Sequence, residues 1–254
     1  MLEQIISIVR EAGEIVLSAH DVWSQTHEKS SAADLVTEYD LAVERFLKEK
    51  LPPLVPGSLF FGEEEKENAS PLTGWVFIVD PIDGTTNFVR GLKHSAISVA
   101  LAHDGAVEYG VVYDPYKDEI FSAKRGGGAF LNGRPIRVSE RPLYQGVFGM
   151  GTAIYDRQFT APTMRLTEQL FRRSCDFRRL GAAALDLCGV ACGRLDLFFE
   201  YSLSPWDHAA GGLILTEAGG VLSTLEGKPM DYTRRCSVWA SNRVNGDILR
   251  ELEV

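Results

Sequence analysis

Apolar residues in the first part of the chain recur at the spacing of amphipathic helices. Residues 2–19 place an apolar side chain every three or four positions, which predicts a helix that packs on one face. A second helix is predicted from Thr37 to about Lys50, where the Pro52-Pro53 pair ends it. The run Trp75–Val79 is short, continuously apolar and rich in β-branched residues, which predicts a strand covered on both faces.

The apolar period shortens between Ser95 and Gly133, where runs of strand length are separated by turn residues. Asp104-Gly105 predicts a tight turn, so these strands form an antiparallel meander. Gly126–Gly128 follow a strand and open no helix, which indicates a bulge or turn rather than a phosphate-binding loop. Helices are then predicted at Thr160–Phe171, Ala182–Cys192 and Trp206–Ala218, alternating with strands at Leu195–Phe199, Gly220–Thr224 and Val238–Ala240.

This order of elements predicts a layered α/β protein. We find no internal repeat and no low-complexity linker, so residues 1–254 are expected to form a single domain. Its two halves, residues 1–142 and 143–254, are expected to pack as approximate sub-domains around a shared cleft.

Composition supports a folded globular protein, with 45% hydrophobic and 24% charged residues. No apolar run approaches the roughly 18 residues of a transmembrane helix, and the start lacks the pattern of a secretory signal. The four cysteines show no Cys-x-x-Cys spacing and fit reduced thiols. A cytoplasmic protein without membrane attachment is therefore expected.

The formal charge of -9 makes nucleic acid a poor partner, because carboxylates repel a phosphate backbone. One stretch is densely basic. It allows two interpretations: a solvated connection between a helix and a strand, or arginines close to an anionic ligand or a subunit boundary. The residues are Arg172, Arg173, Arg178 and Arg179.

The segment Asp80-Pro81-Ile82-Asp83-Gly84-Thr85 directly follows the predicted buried strand. Ligand sites of layered α/β proteins gather at the carboxyl ends of strands, and Mg²⁺ prefers the oxygen ligands that two aspartates and a backbone carbonyl offer. Gly84-Thr85-Thr86 has the pattern of a helix start, where free N–H groups bind anions. The alternative is a plain turn in which an aspartate or threonine caps the helix.

Two further acidic positions flank this segment. Glu63 follows the apolar pair Phe60-Phe61, as a carboxylate at a strand end does, although a solvated charge run has the same pattern. Asp207 lies in the first turn of the predicted Trp206 helix, where a helix-capping role is the alternative. Each signal is ambiguous alone.

Taken together, four segments resemble the ordered signatures of the inositol monophosphatase family. They are Lys29–Asp40, Gly62-Glu63-Glu64, Asp80–Phe88 and Trp206-Asp207. The resemblance covers nearly the whole chain. It implies an alternating αβαβα sandwich with the active site between its layers, and a lithium-sensitive phosphatase that requires Mg²⁺.

The resemblance also implies roles for individual residues. Glu63, Asp80 and the Ile82 carbonyl would hold one Mg²⁺, with Thr85 nearby. Asp80, Asp83 and Asp207 would hold a second ion, and the resemblance allows a third, weaker ion near Glu63. Thr85 and Asp40 would orient or deprotonate the attacking water. Thr37-x-x-Asp40 is also the pattern of a capping box, and both roles are compatible if the helix start faces the cleft.

Substrate contacts are implied at further positions of the same pocket. Glu200, at the end of a predicted strand, matches the position that accepts hydrogen bonds from substrate hydroxyls. Gly181-Ala182-Ala183 resembles the small-residue turn beside the sugar. The full set of substrate-binding candidates is Asp83, Gly84, Thr85, Gly181, Ala182, Ala183, Glu200 and Asp207.

The expected function is hydrolysis of a small polyol or sugar phosphate, with inositol 1-phosphate as the leading substrate. Fructose 1,6-bisphosphate, histidinol phosphate, adenosine 3',5'-bisphosphate and NADP are the alternatives within the superfamily. A role from another class is a protein or RNA partner in transcription, since one relative works with the transcription machinery. The family resemblance also implies a homodimer.

Overall fold

The computed structural model describes residues 1–28, 35–65 and 73–252. Within these residues, the predicted helices and strands are confirmed, but the strands at Thr26–Glu28, Leu35–Thr37, Val147–Met150 and Asp176–Arg178 were not predicted. The α-helices are α1 (Leu2–Leu17), α2 (Glu38–Lys50), α3 (Thr85–Val89), α4 (Thr160–Phe171), α5 (Ala183–Ala191) and α6 (Pro205–Glu217). The strands are β1 (Thr26–Glu28), β2 (Leu35–Thr37), β3 (Leu59–Gly62), β4 (Trp75–Asp83), β5 (Ala96–His103), β6 (Ala106–Asp114), β7 (Glu119–Lys124), β8 (Ala129–Leu131), β9 (Arg134–Pro135), β10 (Val147–Met150), β11 (Asp176–Arg178), β12 (Leu197–Leu203), β13 (Val221–Ser223) and β14 (Cys236–Ser241).

Strands β3 to β9 form a seven-stranded sheet in sequence order. Strand β3 runs parallel to β4, and every later pair in this sheet is antiparallel. The predicted meander is therefore confirmed. Its glycine turn is closed by Glu217 of α6, whose carboxylate accepts hydrogen bonds from the backbone N–H groups of Gly126 and Gly128, each at 2.8 Å.

The second half of the chain forms a five-stranded mixed sheet in the order β11-β10-β12-β14-β13. Strand β10 is parallel to both of its neighbours, and β14 is antiparallel to both of its own. A separate small ladder pairs β1 with β2 in antiparallel fashion. No helix in the described ranges has the length and apolar character needed to cross a bilayer.

Helices alternate with the two sheets to give five layers. Helices α1 and α2 cover one face of the seven-stranded sheet, where Val9 and Leu47 pack with Phe77. Helices α5 and α6 fill the space between the sheets, and α4 packs on the outer face of the five-stranded sheet. The αβαβα sandwich is thus confirmed, while the division into sub-domains at residue 142 stays a prediction.

Candidate active site

A β-bulge brings Asp80 and Asp83 to the same side of β4. Side chains alternate across a strand, so residues three positions apart would normally face opposite ways. Here two residues of β4, Pro81 and Ile82, lie opposite one residue of β5, Ile97, because Asp80 pairs with Ser98 and Asp83 pairs with Ala96. The extra residue restores the alignment of the two carboxylates. Both aspartates line one pocket at the carboxyl end of β4.

Asp207 joins them from the start of α6. Its carboxylate accepts a hydrogen bond from the Ser204 N–H at 2.6 Å, which makes it the acid of a capping box. The Ser98 hydroxyl of β5 donates to the Trp206 carbonyl at 3.0 Å and ties this helix start to the sheet. One carboxylate oxygen from each of Asp80, Asp83 and Asp207 lies within 4.8 Å of the other two. Asp207 therefore caps its helix and also belongs to the acidic cluster.

The start of α5 is bound to Asp83. The backbone N–H groups of Ala183 and Ala184 donate to the Asp83 carboxylate at 3.2 and 2.7 Å. Gly84 has a positive φ of 86°, and a Cβ there would lie 3.0 Å from the Gly181 carbonyl oxygen. Gly84, Gly181, Ala182 and Ala183 thus form one wall of the pocket, as predicted by position. The Ala183 amide, however, is taken by a carboxylate of the chain itself.

Asp40 and Thr85 meet across the cleft. The Thr85 hydroxyl lies 3.1 Å from the Ile82 carbonyl oxygen and 3.4 Å from the Asp40 carboxylate. Asp40 also accepts hydrogen bonds from the backbone and the hydroxyl of Thr37, which completes the capping box of α2. The capping-box interpretation of Thr37-x-x-Asp40 is therefore confirmed. The Thr85 contact is compatible with the catalytic role of Asp40, which stays a prediction.

Glu63 lines the same pocket, and the turn that carries it is held by Glu44 of α2. The Glu44 carboxylate accepts a hydrogen bond from the Glu64 N–H at 2.9 Å. Gly62 allows this approach, because a Cβ at that position would collide with the Glu44 carboxylate. Glu44 lies one helical turn after Asp40, so one face of α2 supports two parts of the site. Glu44 was not predicted from the sequence, although its four-residue spacing from Asp40 was a usable signal.

The pocket is strongly acidic, and burial of its carboxyl groups raises their pKa values. Burial raises the pKa of Asp83 to about 7, against hydrogen bonds from Ala184 and Ala183 that lower it. Burial and then the charge of Glu63 raise the pKa values of Asp80 and Asp207 well above the usual range. Burial also raises the pKa of Asp40 to about 7. These groups favour bound protons or bound cations over bare negative charge.

Two arginines and a tyrosine lie at the rim of this acidic pocket. Arg179, Arg235 and Tyr155 line it, and the Arg235 guanidinium lies 5.2 Å from the centre of the Tyr155 ring. The four arginines of the basic stretch Arg172–Arg179 therefore fall into two groups, one for each interpretation of that stretch. Arg172, Arg173 and Arg178 form ion pairs with Glu168, Glu251 and Asp176 at exposed positions, as the solvated interpretation predicts. Arg179 instead stands beside an acidic pocket, and sequence analysis gave no sign of Arg235 or Tyr155.

The sequence and the fold of this chain were compared with those of known protein families. The sequence model of the inositol monophosphatase family matches residues 1–253. The chain belongs to the inositol monophosphatase family. Of the four signatures of this family, residues 29–34 of the first lie outside the described residues. The other three signatures contribute Glu63, Asp80, Ile82–Thr86, Trp206 and Asp207 to the lining of the pocket.

Individual proteins similar to this chain include two bacterial SuhB proteins and an IMPase. The Nus factor SuhB of Pseudomonas aeruginosa is 40% identical over 235 residues, which is 89% of this chain and 86% of the relative. The extragenic suppressor protein suhB of Bartonella henselae superposes with a TM-score of 0.90 at 33% identity, over 98% of this chain and 96% of that one. The IMPase of Thermotoga maritima gives a TM-score of 0.88 at 33% identity, over 98% and 95%.

Proposed function

We propose that this protein is a Mg²⁺-dependent phosphomonoesterase acting on a small polyol or sugar phosphate, with inositol 1-phosphate as its leading substrate. The observation that carries the proposal is the convergence of Asp80, Asp83 and Asp207 within 4.8 Å beside the Thr85–Asp40 pair. Family membership and the likeness to an IMPase support it.

The donor set fits Mg²⁺, which prefers carboxylate and carbonyl oxygens. One ion would be held by Glu63, Asp80 and the Ile82 carbonyl. A second would be held by Asp80, Asp83 and Asp207, and a third would lie near Glu63. Bound Mg²⁺ supplies positive charge that stabilises the phosphate and lowers the pKa of an attacking water. Because Asp80, Asp83 and Asp207 crowd the pocket with raised pKa values, cations relieve their mutual repulsion.

The Thr85 hydroxyl and the Asp40 carboxylate would handle the proton of the attacking water. Thr85 lies 3.4 Å from Asp40, so its hydroxyl can orient the water and pass a proton to the Asp40 carboxylate. The pKa of Asp40, raised by burial to about 7, suits a general base that works near neutral pH. The Thr37 bonds hold the Asp40 carboxylate in place during this transfer.

Metal dependence is the first test of the proposal. Phosphate release from inositol 1-phosphate and the alternative esters is expected with Mg²⁺ and is expected to fall to background in EDTA, because the donors are all oxygens of hard-ligand type. We also expect millimolar lithium to inhibit, as the family resemblance implies. Full activity in EDTA contradicts the mechanism, and a panel in which fructose 1,6-bisphosphate exceeds inositol 1-phosphate reassigns the substrate.

Glu200 is proposed to bind substrate hydroxyls rather than metal. Its carboxylate is held by the Ala153 N–H at 2.8 Å and lines the pocket beyond the three aspartates. Glu200→Gln is expected to lower kcat/KM for inositol 1-phosphate by about tenfold and for a simple aryl phosphate by less than about twofold. The Mg²⁺ concentration for half-maximal activity should not change. An equal loss on all esters assigns Glu200 to structure instead.

A second candidate function is a role in transcription, which the name Nus factor SuhB of the 40% identical relative favours. We propose it as an additional role, since the acids and the Thr85–Asp40 pair of the pocket are intact. The protein or RNA partner would bind the outer surface and not the pocket. A pocket variant that loses phosphatase activity but retains function in a transcription antitermination assay separates the two roles.

A further inference from the structure

Two carboxyl groups lie side by side over a pair of glycines in the five-stranded sheet. Gly149 lies in β10, and Gly151 continues its pairing, because the Gly151 N–H donates to the Phe199 carbonyl at 2.9 Å. Extended residues two apart share a face and are about 7 Å apart. A Cβ on Gly149 would press on Leu195 at 3.0 Å and Phe198 at 3.2 Å and would lie 3.5 Å from Asp186 Oδ1, and a Cβ on Gly151 would collide with the Glu200 carboxylate.

The two acids belong to different elements, and both line the floor of the pocket, which is the surface over Gly149 and Gly151. Asp186 comes from α5, whose start binds Asp83, and Glu200 comes from β12. The Glu200 charge contributes to raising the pKa of Asp186, after the larger effects of burial and of the Asp83 charge. The missing side chain at Gly151 makes room for the Glu200 carboxylate, and at Gly149 the Asp186 carboxyl lies beside the apolar side chains of Leu195 and Phe198.

The two carboxyl groups differ in their hydrogen bonds. Glu200 accepts from the Ala153 N–H at 2.8 Å. Asp186 is only 2% exposed, and its Oδ1 atom has no hydrogen-bond partner among the described residues. A buried polar oxygen without a partner is unfavourable, so such an atom in a pocket wall is a candidate for a hydrogen bond to a ligand.

The chemistry of the floor selects the ligand group. A carboxylate accepts a hydrogen bond from a hydroxyl, and a protonated carboxyl donates one to it, so hydroxyls satisfy Asp186 in either state. A second phosphate at the same place would meet the negative charge of Glu200. The exposed side chains of Arg179 and Arg235 lie at the edge of the pocket. The positions beside Asp186 and Glu200 therefore remain available to uncharged groups.

We propose that Asp186 is a further substrate-binding residue, which together with Glu200 forms a two-carboxyl floor for the neutral hydroxyls of a polyol monophosphate. This inference rests on the proposed phosphatase function and specifies its substrate class. It assigns the phosphate end of the substrate to the aspartate cluster and the hydroxyl-bearing ring to the floor over Gly149 and Gly151.

Steady-state kinetics with two esters test the floor. Asp186→Ala is expected to lower kcat/KM for inositol 1-phosphate by about tenfold or more, while kcat/KM for p-nitrophenyl phosphate, which offers no hydroxyl, changes by less than about twofold. Asp186→Asn keeps an oxygen acceptor and is expected to recover at least about a third of the lost preference. Equal losses on both esters overturn the proposal.

Asp196→Asn is the matched control for a buried aspartate outside the pocket. Asp196 is 1% exposed, but its carboxylate is bonded by the Val147 N–H at 2.9 Å and by Arg141 at 3.1 Å. Its replacement is expected to lower the Tm by several degrees and to preserve the ratio of the two kcat/KM values. A changed ratio in this control attributes the Asp186 effect to general loosening of the sheet.

A binding measurement separates this inference from the proposed function. If wild-type protein hydrolyses neither ester, the proposed function is wrong, and the Tm shift caused by inositol 1-phosphate then decides on Asp186 alone. A shift that is present in wild type and lost in Asp186→Ala supports the two-carboxyl floor. The same shift in both proteins, or none in either, overturns it.

Discussion

Replacing Asp207 with asparagine is expected to lower phosphate release by at least about 100-fold and to leave the metal-free protein as stable as wild type or more stable. The variant removes one ligand of the proposed second Mg²⁺. It also removes one negative charge from a cluster whose members lie within 4.8 Å of each other. The asparagine side-chain oxygen can still accept the hydrogen bond that Ser204 gives to Asp207 at 2.6 Å, so the helix cap survives.

Melting curves in EDTA and in Mg²⁺, set beside phosphate release, check this prediction. Wild-type protein should show a Tm that rises with Mg²⁺ concentration, because the ions bind only the folded arrangement. The variant should show a smaller rise. If Asp207 serves the cap alone, the variant retains normal turnover and an unchanged Mg²⁺ shift, with a loss of a few tenths of a kcal/mol from the weaker helix-dipole interaction.

The second large effect is a pH dependence that Mg²⁺ reverses. Burial raises the folded-state pKa of Asp83, Asp40, Glu44 and Glu200 to about 7 in each case. In the unfolded chain these groups titrate near pH 4. The folded metal-free protein therefore holds protons that the unfolded chain has lost, and its stability falls as pH rises from about 4 through about 7.

In EDTA we accordingly expect the Tm to rise by at least about 5 °C when the pH is lowered from 8 to 6. With saturating Mg²⁺, the increase in Tm between pH 8 and pH 6 should be smaller. The cations already compensate the negative charge of the carboxylates, and protons compete with them for these groups. The Mg²⁺ shift should therefore be largest at pH 8. Calorimetric scans at both pH values measure this, and Asp80→Asn, with one fewer charge, should show a weaker dependence. A Tm in EDTA that is flat or falls toward pH 6 contradicts the charge repulsion on which the metal site is argued.

Local patterns were sufficient to predict the amphipathic helices and the longer strands, but not the short strands β1, β2, β10 and β11. The amphipathic period of residues 2–19, the apolar run Trp75–Val79 and the Asp104-Gly105 turn depend on interactions among near neighbours in the chain, and the structure confirms all three. The predicted β4 was too short, because its apolar run ends at Val79 while the strand continues to Asp83 through the bulge. A bulge depends on the partner strand, which a single-strand pattern does not contain.

The sequence by itself determined the layered fold, the family and the acids to consider, because each follows from residue types at short spacings such as Asp80-Pro81-Ile82-Asp83-Gly84-Thr85. Only the tertiary structure decided which acids meet. The bulge in β4 aligned Asp80 with Asp83, and the Ser98 bond to Trp206 brought Asp207 to them. Glu44 and Asp186 became visible through burial and through the glycines beneath them. Contacts of this kind arise from the packing of distant segments, so their distances are set by the layers and not by separation along the chain.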